Sequence, residues 1–185
     1  YVLDGTDLRR ASPGVARESV DSSRRLVEVQ AGEVVAHDVD AQQAFDLGAL
    51  ATAAQLLGLG AALRDRAVAY AQQREQFGRP IGSFQAVKHQ LADVAVALEL
   101  AGPLVFGAAL ALRDDAPTRS RDVSAAKVAC ADAAYLAART SLQVHGAIGY
   151  TAEYDLALWL TKVRALVSAW GTQQVHRSRV LAALA

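Results

Sequence analysis

Arg74-Glu75-Gln76-Phe77-Gly78-Arg79-Pro80-Ile81-Gly82-Ser83-Phe84-Gln85-Ala86 decides the fold, because it joins two long apolar segments of helical periodicity. Pro80 has no amide hydrogen and pushes Arg79 out of the helical region, while Gly78 and Gly82 tolerate dihedrals that other residues avoid. The sequence therefore predicts a first helix that stops near Gln76. Ser83 is expected to cap the second helix by accepting a backbone N–H. An Arg, a Phe and a Gln then sit on a stiff corner between two rods, which suits a planar anionic ligand.

Upstream of the corner the pattern is helical from about Asp40. Leu47, Leu50, Ala54, Leu57 and Ala61 mark one face, and Leu56, Leu59 and Leu63 widen it, so this helix is expected to be buried nearly all round. Gly48, Gly58 and Gly60 each cost about 1 kcal/mol relative to alanine in a helix interior and read as places where helices approach closely. Downstream, Phe84, Val87, Leu91, Val94 and Leu98 alternate spacings of three and four, as a bundle helix requires. Arg113 to Arg121 reads as a loop. Val123, Ala126, Cys130, Ala133, Ala137, Thr140 and Val144 then repeat the spacing with small residues, predicting a slim helix that ends at Gly146. Another helix is expected to begin near Thr151, with Glu153 placed for the helix dipole, and to run through Leu156, Trp159, Leu160, Val163 and Val167. Gly171 interrupts it before a last short helix.

Residues 1–38 differ in character. Tyr1-Val2-Leu3-Asp4-Gly5 ends in a turn signal, and Arg25-Leu26-Val27-Glu28-Val29 alternates as a strand does. This segment alone is too small to bury both faces of a sheet.

Composition narrows the class. Of the 185 residues 52% are apolar but only 6% aromatic, and alanine supplies much of the difference, which favours closely packed helices. Nineteen basic residues balance nineteen acidic ones, so net charge offers no attraction to nucleic acid or an anionic membrane. No uninterrupted apolar run reaches the roughly 18 residues of a membrane span. Cys130 stands alone and reads as a small core residue. His37, His89 and His176 read as surface or capping residues, and no pair has metal-ligand spacing, so no metal is expected. The chain lacks methionine even at position 1 and reads as the tail of something longer. Its preference for Arg and Ala suggests a GC-rich bacterial source, and a cytoplasmic location is expected.

Three segments carry a family resemblance. The corner, continued by Val87-Lys88-His89 and Leu91-Ala92-Asp93, resembles the C-terminal helical domain of the acyl-CoA dehydrogenases, which desaturate acyl-CoA thioesters with bound FAD. Gln143-Val144-His145-Gly146-Ala147-Ile148-Gly149-Tyr150-Thr151-Ala152-Glu153-Tyr154 resembles that family's glycine turn, with Ala147 in place of a second glycine. Gly171-Thr172-Gln173-Gln174 resembles the segment that ordinarily carries the catalytic glutamate. The resemblance implies a mainly α fold: a four-helix-bundle-like domain for FAD binding and oligomerisation over residues 39–185, with residues 1–38 a remnant of the β-domain that precedes it in the family. Compression between Gly5 and Ala31 leads us to expect that residues of that domain are missing there.

By the same resemblance, Arg74 pairs with the FAD pyrophosphate, Gln76, Phe77, Phe84 and Gln85 line the dinucleotide, and Gln143 with the Gly146-Ala147 turn holds the adenosine half, all serving a partner subunit's FAD. Thr172 and Gln174 touch the FAD held mainly by this chain. On their residues alone, Arg74 is a solvated helix-end cation and Phe77 and Phe84 are core; the motif as a whole reverses both. The implied partners are an acyl-CoA, a second acyl-CoA dehydrogenase subunit in a homo- or hetero-oligomer, expected as a tetramer, and an electron-transferring flavoprotein.

The departure is at the base. The family removes the α-proton with a glutamate whose pKa is matched to the task. Trp170 occupies that position, and an indole cannot accept the proton. Some relatives place the glutamate on the first long helix, where this chain has Gly48. Asp46 lies about 200° around the helix from Gly48 and is expected to point elsewhere. No residue of the chain is assigned as catalytic, so the expected role is a non-catalytic subunit that completes a partner's FAD site. A flavin-dependent oxidase or hydroxylase of the same fold and a flavin-free helical assembly module remain the alternatives.

Overall fold

The computed structural model describes residues 1–151 and 154–185. Three antiparallel strands, β1 (Val2–Asp4), β2 (Asp7–Arg17) and β3 (Leu26–Ala36), open the chain in sheet order β1-β2-β3. The Asp4-Gly5 signal holds: Asp4 pairs with Asp7 across a turn in which Gly5 takes φ +63°. β3 is longer than the Arg25–Val29 alternation suggested. No apolar side chain of residues 1–38 is buried, which follows from a thin sheet with too little behind it. The sheet is tied to the helices by polar contacts: Lys162 Nζ lies 2.9 Å from the Asp21 carboxylate and donates to Ser23 Oγ at 2.8 Å, and Arg24 donates to the Ala165 carbonyl at 3.2 Å.

The helices are α1 (Ala41–Gln73), α2 (Gln85–Arg113), α3 (Arg119–His145), α4 (Leu156–Val167) and α5 (Gln173–Ala182). Asp40 caps α1, its carboxylate accepting the Gln43 N–H at 2.8 Å. α3 is the central rod, and each stripe residue from Val123 to Val144 predicted for it is buried. α1 and α2 pack on it through Leu56, Leu63, Val94 and Leu98. Cys130 is fully enclosed among them, as expected. At the crossing, a Cβ on Gly60 would come within 2.6 Å of Leu98 Cδ2 and 3.3 Å of Ala134 Cα, so this glycine does permit close approach. Gly58 does not: it faces open space.

Four expectations need correction. α1 is not buried all round; its enclosed face is Ala49, Ala53, Leu56, Gly60, Leu63 and Ala67, whereas Leu47 is 60% exposed. α1 ends at Gln73 rather than Gln76, because Glu75-Gln76 (β4) and Arg79-Pro80 (β5) pair as a small hairpin. Ser83 does not cap α2; it lies in a 3-10 turn, Ile81–Ser83, and the capping position is Phe84. α4 begins at Leu156, since the 3-10 turn Gly146–Tyr150 and a bend at Thr151 intervene; the expectation for Glu153 falls outside the described residues. α1 and α2 are each long and apolar enough to cross a membrane by length and composition. Charges spaced along them break any fully apolar run, but in the bundle their buried stripes are taken up by α3.

Candidate functional site

Sequence reasoning singles out two regions, the corner and the turn that carries Trp170. At the corner, Arg74 N–H donates to the Tyr70 carbonyl and Ile81 N–H returns to the Arg74 carbonyl, both at 2.8 Å, closing the base of the hairpin. Phe77 and Gly78 occupy its tip at φ +53° and +75°, a turn in which both central residues are left-handed and that ordinarily selects Asn-Gly. The Phe77 side chain is 93% exposed. It meets Phe84 edge-on at 6.2 Å, and the Arg79 guanidinium lies 4.3 Å above the Phe84 ring. A Cβ on Gly82 would stand 3.0 Å from the Ala71 carbonyl oxygen, so this glycine lets the corner press against α1.

Arg74 and Gln76 share a cavity of about 440 Å³ with Gly146, Ala147 and Ile148 from the end of α3. His145 forms its floor. The buried ring stacks on Tyr70 at 4.4 Å and donates from Nδ1 to the Ser141 carbonyl at 2.7 Å, leaving Nε2 to accept from the Tyr154 hydroxyl at 3.2 Å. That arrangement makes His145 a structural prop. Gly146 adopts φ +61°, and its N–H is already donated to the Leu142 carbonyl, so this amide does not serve a phosphate. Gln143 faces a neighbouring groove of about 530 Å³ with Gln90, Arg139 and Tyr150. Gln85 is exposed on the first turn of α2. The structure thus unites Arg74, Gln76, Gly146 and Ala147, and sets Phe77, Phe84, Gln85 and Gln143 around them on separate surfaces. Arg74 makes no ion pair among the described residues, and a free guanidinium beside an amide and the Ile81 and Ile148 walls fits one end of a dinucleotide diphosphate.

The second region joins the two positions where a glutamate is expected. The Trp170 indole lies directly over Gly48: a Cβ built there would come within 2.3 Å of the ring. Ring and glycine line a cavity of about 500 Å³ with Arg24, Leu47, Thr52 and Leu166. None of the side chains lining it is a carboxylate. Asp46, two residues from Gly48, is wholly buried on the opposite side, where it accepts from Arg179 at 2.5 Å, Ser120 at 2.5 Å and Gln42 at 3.1 Å. Trp170 sits at φ +54° and Gly171 at +99°. Thr172 caps α5, its hydroxyl accepting the Val175 N–H at 3.4 Å, and Gln174 is exposed beside it.

Sequence reasoning missed two buried residues here. His176 is not a surface residue; it is fully enclosed, donates from Nε2 to the Trp170 carbonyl at 2.8 Å, and accepts from Ser124 Oγ at 3.2 Å. Burial lowers its pKa, with only partial offset from that carbonyl. Lys127 is also fully enclosed, and its ammonium donates to the Val167 carbonyl at 2.9 Å. Desolvation lowers it to about 8 and raises the thiol of neighbouring Cys130 to about 11. The only signal was positional: Ser124, Lys127 and Cys130 fall on the buried stripe of α3. Among the described residues no group of three His, Cys, Asp or Glu side chains could hold a metal.

The family model described as acyl-CoA dehydrogenase, C-terminal domain, matches residues 39–185. A 3-(aryl)acrylate reductase from Clostridium sporogenes is 35% identical over 79% of this chain and 38% of its own length. The caffeyl-CoA reductase-Etf complex subunit CarC of Acetobacterium woodii is 33% identical over 81% of this chain and 39% of its own. Butyryl-CoA dehydrogenase from Megasphaera elsdenii superimposes with a TM-score of 0.86 at 27% identity, covering 99% of this chain and 50% of that one. The chain therefore spans well under half the length of these curated relatives and half of the solved enzyme. The last match also bears out the mainly helical fold with a few leading strands.

Proposed function

The chain belongs to the acyl-CoA dehydrogenase family, and from that premise we propose that it shares an FAD site with a second subunit of the family while supplying no catalytic base of its own. The observation that carries this reading is the Trp170 indole laid against Gly48. Both positions that the resemblance assigns to a glutamate converge on one point, and an aromatic ring fills it. Proton abstraction next to a thioester carbonyl needs a group that is a carboxylate at working pH. An indole offers no such acceptor, and Asp46 is committed to Arg179 and Ser120.

What remains is suited to binding. Arg74 would hold the pyrophosphate of a partner's FAD, Gln76, Phe77, Phe84 and Gln85 would line the dinucleotide, and Gln143 with Gly146 and Ala147 would hold the adenosine end. Thr172 and Gln174 would meet the FAD held by this chain. Bound FAD supplies the hydride acceptor of the reaction. The chain's residues anchor and orient it, and the base comes from the partner. Paired, unequal subunits are a known arrangement in this family, including in breakdown of steroid-derived thioesters. An electron-transferring flavoprotein as acceptor is in keeping with the Etf complex named for the CarC relative.

Flavin absorbance and acyl-CoA oxidation, measured on the protein alone and with candidate partner subunits, test the proposal. Activity that appears only with a base-bearing partner, and persists when the partner alone is varied outside its base, supports it. Acyl-CoA oxidation by this chain alone would refute it, as would oxygen consumption by the lone flavoprotein, which points to an oxidase. A colourless sample in every combination leaves only an assembly role.

A further inference from the structure

The turn that carries Trp170 is held from behind by two buried groups on different helices. α3 presents Ser124 and Lys127 on one face, three residues apart. The Lys127 ammonium reaches the last carbonyls of α4, at 2.9 Å to Val167 and 3.4 Å to Leu166, where a cation also favours the negative end of the helix dipole. It has no carboxylate partner among the described residues, so these carbonyls are its compensation for burial. Three residues further on, His176 from α5 donates to the Trp170 carbonyl while its other nitrogen is fixed by Ser124. Phe45 completes the clamp, stacked on the imidazole at 5.7 Å and edge-on to the indole at 6.2 Å. A Cβ on Gly171 would lie 2.8 Å from His176 Nε2 and 3.0 Å from Phe45 Cζ, so only glycine fits between the turn and these rings.

These contacts bear on residues 166–171, where the backbone of Trp170 is least comfortable. A non-glycine residue in the left-handed region is strained and persists only when its surroundings over-determine it. We propose that Lys127 and His176 are positioning residues that lock residue 170 in this conformation, so that its side chain is a fixed plug over Gly48 and not a gate that swings clear. The lock acts on the backbone and is indifferent to what side chain position 170 carries. The lock is made only of residues of this chain and does not require bound flavin.

The test is fluorine NMR of the full-length protein labelled with 5-fluorotryptophan, with the Trp170 line identified by its loss in Trp170→Phe. One sharp Trp170 line is expected. His176→Met removes the donor at similar volume and should split or broaden that line, while His176→Gln, whose amide can still donate, should keep it single. Lys127→Met should likewise disturb Trp170. The Trp159 line, from the first turn of α4, reports general packing and should stay in place. An unmoved Trp170 line in both methionine variants overturns the proposal. So does equal disturbance of Trp159 and Trp170, or failure of His176→Gln to behave differently from His176→Met. Should Lys127→Met not fold, the two His176 variants decide the question.

Discussion

At the scale of single residues, Gly48 and Trp170 are complements, and the sign of a mutation at one should depend on the other. Gly→Ala in a helix interior ordinarily stabilises by about 1 kcal/mol. Here the new methyl would meet the indole within 2.3 Å, and overpacking costs roughly 1–3 kcal/mol. Gly48→Ala is therefore expected to destabilise the protein by about 1 kcal/mol, and to stabilise it in a Trp170→Glu background where the ring is gone. Chemical denaturation of both singles and the double closes the cycle; additive effects would deny the contact. Trp170→Glu alone is expected to confer acyl-CoA oxidation only if the rest of the pocket and the flavin face are intact, which substrate-dependent flavin bleaching reports. Lys127 gives a pH signature. With a folded pKa of about 8 against 10.5 for the free side chain, the unfolded chain holds more protons above pH 8, so stability rises with pH there. Cys130, held up to about 11 from 9.0, has the opposite sign above pH 9 and cancels the trend. The net gain is confined to pH 8–9, about 1 kcal/mol by linkage. Lys127→Met should flatten the difference in denaturation midpoints across that window; an unchanged slope would remove Lys127 as its origin.

At the scale of elements, the hairpin between α1 and α2 carries a strained aromatic in plain contact with solvent. Phe77 gains little packing for its left-handed backbone, so Phe77→Asn, the residue this turn prefers, should stabilise the fold by about 1 kcal/mol, or a few degrees in Tm at this chain length. If the ring serves a flavin, the same variant loses FAD on dilution. Stabilisation with undiminished flavin retention would assign Phe77 no ligand role. That hairpin was not legible in the sequence. Its pairs are two residues long and its tip is Phe-Gly, so neither alternation nor an Asn-Gly signal announces it, and Ser83 looked like a cap because the intervening 3-10 turn has no pattern of its own. The helices were legible wherever one face is apolar: the stripe of α3 is buried as its spacing requires. On α1, alanine, leucine and glycine run round the whole circumference, so periodicity could not choose between the Leu47 face and the Ala49–Leu56 face, and burial went to the face where Ala49, Ala53, Gly60 and Ala67 leave room beside Leu56 and Leu63. The site divides in the same way. Arg74, Gln76 and the Gly146-Ala147 turn, which the motifs single out, line one cavity, whereas Lys127 and His176 are polar residues on buried positions, and spacing alone does not reveal which polar groups find partners inside.

At the scale of the molecule, the exposed apolar surface of α2 asks for a neighbour. Val96, Leu100 and Leu104, at spacings of four, form a stripe along its outer side, with Leu110 and Phe106 exposed further round the helix, and Leu100 and Phe106 are 70% and 72% exposed. Contiguous apolar surface of this kind marks an interaction site more often than a solvated face. α2 also begins at the corner, with Gln85 in its first turn, so one rigid helix links the stripe to the residues proposed to reach a partner's FAD. Assembly and flavin binding should then fail together. On an isolated helix surface, Leu100→Glu would change stability by no more than about 0.5 kcal/mol. Within a subunit contact it buries an uncompensated charge and should dissociate the assembly. Sedimentation velocity combined with the flavin-to-protein ratio distinguishes these cases: the proposed reading requires Leu100→Glu to sediment as a smaller species, with its FAD lost although Arg74 and Phe77 are untouched. A smaller species that keeps its flavin would uncouple the stripe from the cofactor site, and an unchanged sedimentation coefficient would leave this face of α2 outside the assembly.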